Sequence, residues 1–121
     1  MDNTQHMCHL HPCLQVLHGA DRDIIWLQRD HGLYIVNMFD TGQAMRLLPY
    51  QRLSLAHLLK CVFKLDVDKT HQLSDWRVRP LPDDMRLYAQ ADTHFLLDAY
   101  DALRSDSLVA NTAGHRLCVC V

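Results

Sequence analysis

An aspartate lies on the apolar side of a predicted helix in the second half of the sequence. At helical spacing Asp92 shares a stripe with mostly apolar residues, and Tyr88 precedes it by one turn. The members of this stripe are Met85, Tyr88, Ala89, Asp92, Leu96, Ala99 and Leu103. An unpartnered carboxylate on such a face is costly, so it must accept hydrogen bonds or bind a cation. One acid alone favours the first explanation, a hydrogen bond from a Tyr, Trp or Arg side chain.

A second pair of acids, Asp21 and Asp23, follows the end of a predicted strand. Functional residues of α/β folds collect at the carboxyl edge of the sheet, so the pair could belong to a functional site there. Both residues also have ordinary explanations. Asp21 can open a helix, and Asp23 in the first turn is favoured by the helix dipole. Spacing alone leaves the two explanations open.

Two arginines closely follow Trp76 in the sequence, and all three residues could contact nucleic acid. Arg77 and Arg79 could bind phosphate, and Trp76 could stack on a base. Pairing of the arginines with aspartates of the same segment is an equally good explanation. The segment His6-Met-Cys-His-Leu-His-Pro-Cys13 offers zinc ligands, but its spacing matches no common zinc site and favours an unstructured tail.

The elements that position these residues follow a β-α-β-α order. The pattern predicts a strand over 14–17, a helix from Ala20 or Asp21 to a stop at Gly32, and a strand over 34–39. Asp40 or Thr41 caps a helix over 42–48, and Ser54 caps another that extends to about position 63. A polar segment over 66–75 precedes the helix of Tyr88 and Asp92, which starts near Pro82, and periodicity is lost after Arg104. This order predicts an α/β fold.

Composition limits the classes of protein that the chain can represent. The chain has 121 residues, 49% hydrophobic and 21% charged, with a net charge of -2 and an estimated pI of 6.5. This suits one globular domain without a general attraction for nucleic acid. No apolar run is long enough to span a bilayer, so no membrane association is predicted. The five cysteines are odd in number, four near the two ends of the chain and Cys61 at its middle, which argues against a disulfide framework and indicates a reducing compartment, the cytosol or nucleus.

Four blocks between about positions 14 and 104 resemble the RNase D family, and within it the exoribonucleases associated with the nuclear RNA exosome. The order and separation of the blocks match the family, which makes the set more specific than any single block. They are His18-Gly-Ala-Asp-Arg-Asp-Ile-Ile-Trp-Leu-Gln28, Asn37-Met-Phe-Asp-Thr41, Gln72-Leu-Ser-Asp-Trp-Arg-Val-Arg-Pro-Leu81 and Tyr88-Ala-Gln-Ala-Asp-Thr-His-Phe-Leu-Leu97.

The resemblance implies an RNase H-like α/β fold and removal of nucleoside monophosphates from RNA 3′ ends. Four acids hold two divalent metals, Mg²⁺ or Mn²⁺, in this family, and Asp23 and Asp92 match two of them. Tyr88 matches the tyrosine of the Tyr-x-x-x-Asp motif, whose hydroxyl aims the attacking water. We predict nucleic-acid contacts for His18 together with Trp76, Arg77 and Arg79. The resemblance also implies the nucleus, including the nucleolus, and the RNA exosome as a partner.

The chain departs from the family in its first motif, Asp-x-Glu, which should lie upstream of Leu14. All 14 acidic residues are aspartates, so no glutamate can supply it. Asp21-x-Asp23 and Asp66-x-Asp68 do not resemble a strand that projects into a site. We therefore predict a partial exonuclease domain over 14–104 with atypical tails over 1–13 and 105–121, mostly helical with about two strands, and little or no activity in this chain. The alternative is a non-catalytic RNA-binding or interaction protein.

Overall fold

The computed structural model describes residues 13–112, with side chains up to position 106. Its strands are β1 (Gln15–Leu17) and β2 (Met38–Asp40). Its helices are α1 (Asp21–His31), α2 (Thr41–Leu47), α3 (Leu55–Phe63), α4 (Asp83–His94) and α5 (Leu96–Thr112). The two strands pair in parallel with Val16 opposite Phe39, and α1 provides the crossover between them. The structure is therefore the predicted α/β arrangement with more helix than strand.

The second strand is shorter than predicted. Only Met38–Asp40 pairs with β1, while residues 34–37 carry no regular structure although their side chains suit a strand. The amide of Gln15 still donates to the Asn37 carbonyl at 2.9 Å, and β1 then offers only three residues for pairing. A strand needs a partner to pair with, and residues 34–36 lie beyond the paired register.

Capping residues set the helix ends largely where the sequence predicted them. Helix α1 ends at Gly32 in the left-handed conformation, with a φ of 62°. The Asp40 carboxylate caps α2 by accepting from the amides of Gly42 and Gln43, and Ser54 Oγ caps α3 by accepting from the His57 amide. Each cap satisfies amide groups that the first helical turn leaves free.

The C-terminal helical region differs from the single stripe that the sequence predicted. The helix breaks at Phe95, between α4 and α5, and α5 continues to Thr112, beyond the predicted loss of order at Arg104. Ala89 is exposed, so it does not belong to the buried face. The break turns α5 onto the core, and Ala99 and Leu103 are fully buried there.

The core lies between β2, α2, α3 and α5. Its buried members are Phe39, Ala44, Met45, Leu48, Leu58, Ala99 and Leu103. The ring of Tyr100 packs edge-on against Phe39, with centroids 4.8 Å apart. Helix α1 has no buried residue, and Ile25 is 59% exposed. Among residues 13–112, no helix is long and apolar enough to cross a membrane.

Candidate active site

A cavity of about 510 Å³ opens where the end of β1 faces α4. Its walls come from β1, α1, α3, the segment over 64–82, α4 and the first residue of α5. The lining residues are Leu17, His18, Asp23, Ser54, Leu55, Ala56, Val67, Lys69, Gln72, Trp76, Tyr88, Asp92 and Leu96. The carboxyl end of β1 lies at this cavity, as expected for a functional site on a parallel sheet.

The cavity brings together five of the seven residues predicted to act in catalysis, metal binding or nucleic-acid binding. Asp23, Tyr88 and Asp92 all line it, and so do His18 and Trp76. The two acids come from helices that lie far apart in the chain. The spacing of four residues puts Tyr88 and Asp92 on the same side of α4.

The Asp92 carboxylate has no protein partner within residues 13–106. The side chain is half-buried, and no donor or cation of those residues forms a hydrogen bond or ion pair with it. Burial alone therefore raises the pKa of Asp92. The sequence favoured a hydrogen bond to Asp92 from a Tyr, Trp or Arg side chain, and no such bond forms within residues 13–106. The carboxylate instead faces the cavity.

Tyr88 stands between two aromatic rings. The centroids of His71 and Trp76 each lie 5.9 Å from that of Tyr88. Burial, the charge of Asp92 and the charge of Asp68 raise the pKa of Tyr88. Its hydroxyl therefore stays protonated at neutral pH and can donate a hydrogen bond into the cavity.

His18 forms the wall of the cavity at the end of β1. Its Nδ1 lies 2.8 Å from Thr41 Oγ1, which in turn donates to the Leu17 carbonyl at 3.0 Å. Burial lowers the pKa of His18, although the charge of Asp40 acts in the opposite direction. The imidazole is therefore a neutral hydrogen-bonding group at neutral pH, and it does not attract phosphate by charge.

Asp40 fixes the turn that precedes α1 and Asp23. Its carboxylate accepts from the amides of Gly19 and Ala20, each at 2.8 Å, in addition to capping α2. Burial opposes ionisation, but these four amides outweigh it and hold the pKa of Asp40 below its ordinary value. The sequence predicted only the cap of α2. No local signal could reveal the second pair of amides, because they are 20 and 21 residues away.

Gly42 allows the first turn of α2 to approach the turn at Gly19 that precedes α1. A Cβ at Gly42 would lie 3.1 Å from Asp40 Oδ1 and 3.2 Å from the Gly19 nitrogen. Gly19 itself has a φ of 62°, which disfavours side chains. These contacts place the first turn of α1 beside the sheet edge, and Asp23 with it.

Lys69 and Gln72 also line the cavity, and the sequence analysis missed both. Both lie within the polar segment over 66–75, whose residues lack periodicity. Lys69 brings a positive charge and Gln72 an amide to a wall that otherwise holds two acids. Gln72 opens the third block that resembles the RNase D family, whereas Lys69 was marked only by its nearness to that block, which does not distinguish a cavity wall from an ordinary loop.

Arg77 and Arg79 are not among the residues that line the cavity. Arg77 forms two hydrogen bonds to the Asp75 carboxylate, at 2.8 and 3.0 Å. Arg79 donates to the carbonyls of Trp76 and Val78 at 2.7 Å. The alternative explanation, pairing within the segment, thus describes Arg77. Contact of the two arginines with nucleic acid stays a prediction.

The donor set of the cavity fits a divalent metal only in part. Asp23 and Asp92 provide carboxylate oxygens, the ligands that Mg²⁺ and Mn²⁺ prefer. Over residues 13–106, however, no three His, Cys or Asp side chains lie close enough together to hold a metal ion. The proposed zinc ligands before Cys13 lie outside the described residues. Cys13 itself is an exposed free thiol.

Comparison of the sequence with known families and proteins gives consistent matches. The profile of the 3′-5′ exonuclease domain matches residues 5–107. Human exosome complex component 10 is 59% identical over 91 residues, which are 75% of this chain and 10% of that protein. The exosome complex exonuclease RRP6 of Saccharomyces cerevisiae is 51% identical over 98 residues, 81% of this chain and 13% of that protein. The chain thus spans a small part of these relatives.

Solved structures share the fold. The catalytic core of RRP6 from Trypanosoma brucei superposes with a TM-score of 0.77 at 48% identity, over 81% of this chain and 27% of that structure. Escherichia coli RNase D superposes with a TM-score of 0.80 at 20% identity, over 92% of this chain and 30% of that structure, which shows the fold alone. The predicted resemblance and the predicted partial exonuclease fold are both confirmed.

Proposed function

The chain belongs to the 3′-5′ exonuclease family, and from this we propose that it represents part of an exoribonuclease domain acting on RNA 3′ ends. The observation that carries the proposal is the convergence of Asp23, Tyr88 and Asp92 on one cavity beside the end of β1. The chain covers only a small share of its relatives, and activity, substrate and partners are therefore argued from this site.

We propose that Asp23 and Asp92 are metal ligands in the intact domain. Two divalent cations would there activate a water and stabilise charge on the scissile phosphate. The unpartnered, half-buried state of the Asp92 carboxylate supports this, because burial has to be compensated by a cation or by protonation. The Asp-x-Glu motif would complete the set of ligands, and the 121 residues do not contain it.

The other residues that line the cavity suit a nucleotide at the 3′ end of an RNA strand. The Tyr88 hydroxyl, held protonated, can donate to the attacking water or to a phosphate oxygen. The Trp76 ring offers a stacking surface for a base, and Lys69 a cation for a phosphate. The His18 ring forms the wall at the end of β1, where Thr41 Oγ1 fixes its orientation.

We propose that the 121-residue chain by itself hydrolyses RNA little or not at all. Two carboxylates cannot hold two metals in the geometry that the reaction needs, and no other cluster of ligands exists in residues 13–106. A non-catalytic protein that binds RNA through the same cavity is the second candidate. The carboxylate pair with an incomplete ligand set is the observation that favours it.

A nuclease assay tests the inactivity of the chain. The full chain is incubated with single-stranded RNA labelled at its internal phosphates, in Mg²⁺ or Mn²⁺, and release of nucleoside monophosphates is measured. We expect no release above that of the Asp92→Asn variant. Release that depends on Asp92 would contradict the proposed inactivity and establish catalysis.

A chimera separates an incomplete enzyme from a binding protein. The matching 91-residue segment of human exosome complex component 10 is replaced by this chain's residues, and the chimera is assayed with and without Asp92→Asn. Metal-dependent release that is lost in the variant supports the exonuclease. A folded chimera that binds RNA without cleaving it supports the non-catalytic alternative.

We propose the nucleus, including the nucleolus, as the location of the intact protein, and the RNA exosome as its partner. The support is that human and yeast relatives are named as exosome complex proteins. Purification of a tagged full-length protein from nuclear extract should recover exosome subunits. Recovery of the tagged protein in the cytosol without those subunits would contradict this.

A further inference from the structure

We propose that His71 is a positioning residue that holds the Tyr88 ring and the Trp76 wall in place. His71 lies in the segment over 64–82, which carries no regular helix or strand and yet forms one wall of the cavity. This inference rests on the proposed function, because it gives Tyr88 and Trp76 their roles. The family motifs singled out Tyr88 and Trp76 but not His71.

Two side chains orient the His71 imidazole. Its Nε2 lies 3.2 Å from Asp84 Oδ2, and its Nδ1 lies 3.1 Å from Ser74 Oγ. A carboxylate can only accept, so Nε2 donates to Asp84, and in the neutral ring Nδ1 then accepts from the Ser74 hydroxyl. The ring is thus fixed both to its own segment and to α4, with only 19% of its side chain exposed.

The position of Asp84 on α4 explains how the His71 imidazole contacts both Asp84 and Tyr88. Asp84 and Tyr88 are four residues apart on α4 and so lie on the same face of that helix. With Nε2 directed at Asp84, the imidazole meets Tyr88 edge-on, with centroids 5.9 Å apart and an interplanar angle of 79°.

The backbone of His71 holds the other wall. Trp76 Nε1 donates to the His71 carbonyl at 3.1 Å, and the Trp76 ring then lies 5.9 Å from Tyr88. Tyr88 therefore packs against the His71 ring and against the Trp76 ring, and the His71 carbonyl holds Trp76 in place. Loss of the imidazole leaves the Trp76 hydrogen bond to the His71 carbonyl in place, but it removes the contact with Asp84 that ties this segment to α4. We therefore expect the Tyr88 ring to lose one packing partner and the whole segment, with Trp76, to move away from α4.

The test follows tyrosine ring signals by NMR in the full chain labelled with ¹³C at the tyrosine Cε positions. Tyr88→Phe assigns the Tyr88 signal, and the Tyr100 signal reports the core through its contact with Phe39. In His71→Ala we expect the Tyr88 signal to move to that of an exposed tyrosine while the Tyr100 signal stays. His94→Ala, which removes an exposed histidine from the same helix, should move neither.

A binding measurement links this position to the site. Titration with adenosine 5′-monophosphate in Mg²⁺ should show affinity about three- to tenfold weaker for His71→Ala than for the unaltered chain, as expected for coupled contacts. If the unaltered chain does not bind the nucleotide, the non-catalytic candidate that binds RNA through this cavity fails, and the exonuclease proposal is decided by the chimera. The tyrosine signals still decide the role of His71 in that case.

Three outcomes decide the inference. Movement of the Tyr88 signal alone in His71→Ala supports it, and an unchanged Tyr88 signal overturns it. If the Tyr100 signal also moves, the core has been lost, and Asp84→Ala becomes the deciding variant because Asp84 is exposed and alanine removes the acceptor of His71 Nε2. Movement of Tyr88 alone in Asp84→Ala then supports the inference, and no movement overturns it.

Discussion

The region formed by α2, α3 and α5 and the region formed by α1 show two different ways of holding a functional residue. Leu58 of α3 and Leu103 of α5 are fully buried in a shared core. Helix α1 has no buried residue, and Trp26 is 47% exposed. Both regions border the cavity, where Asp23 lies on α1 and Asp92 lies on α4, which is joined to the packed region through α5.

Helix α1 is therefore positioned by the turn at its start and not by burial of its apolar face. The carboxylate of Asp40 accepts from the amides of Gly19 and Ala20, immediately before α1 begins. Asp92, in contrast, lies on α4, whose Met85 is buried and which is joined at Phe95 to a helix packed in the core. The two halves of the site therefore depend on different interactions, and substitutions should affect them separately.

The largest effect is expected in the packed region. Leu58→Ala leaves a cavity at a fully buried position and should lower the free energy of unfolding by about 2–5 kcal/mol. Denaturant unfolding followed by circular dichroism measures this. Leu97→Ala on α5, where the side chain is 65% exposed, is the matched control. Equal losses in the two variants would remove the contrast between the regions.

Asp40 joins the two regions, and its substitution should have the next largest effect. Asp40→Ala leaves amide groups without an acceptor and should cost about 1–3 kcal/mol. The pKa of Asp40 is lowered in the folded state, so its contribution is present above the ordinary value of 3.8 and is lost as pH falls through the folded value.

Acid unfolding curves check the sign of this effect. The unaltered chain should lose stability as pH falls below 3.8, and Asp40→Asn should show a shallower loss over that window. An identical acid slope in the two proteins would show that the amides around Asp40 do not stabilise its ionised form.

Asp92→Asn should have a small effect of opposite sign. Burial raises the pKa of Asp92 in the folded state, so its contribution is present below the ordinary value of 3.8 and is lost as pH rises through the folded value. At pH 7 without metal, the neutral amide should therefore be slightly more stabilising, by less than about 1 kcal/mol because the group is partly solvated. Thermal unfolding in chelator at pH 3 and pH 7 measures this, and a destabilised variant at pH 7 would contradict it.

The smallest effect is expected on α1. Ile25→Ala removes a side chain that is 59% exposed and should change stability by no more than about 0.5 kcal/mol in either direction. Amide hydrogen exchange should show faster exchange in α1 than in α3 in the same protein. A loss comparable to that of Leu58→Ala would mean that the apolar face of α1 is covered.

The sequence predicted elements whose signals are local. Ser54 and Asp40 are strong capping residues, and Gly32 ends α1 in the left-handed conformation that glycine tolerates. Tyr88 and Asp92 were placed together correctly because a helix fixes residues four apart on one side. Local signals also placed Asp23 at the sheet edge.

Features that depend on distant contacts escaped prediction. Residues 34–37 have side chains typical of a strand, but pairing depends on what β1 offers opposite them. The break at Phe95 was invisible because both helices keep apolar residues at helical spacing across it. Lys69 and His71 acquire their positions only when their segment folds against α4, which no spacing within that segment encodes.

The chain has two tryptophans, one on α1 and one in the segment that packs against α4. Trp26 lies on the open face of α1, and Trp76 lies in the cavity wall beside Tyr88. Replacing one at a time by phenylalanine yields two proteins whose intrinsic fluorescence reports one region each. The order in which the two regions lose structure during unfolding can therefore be observed with no added dye.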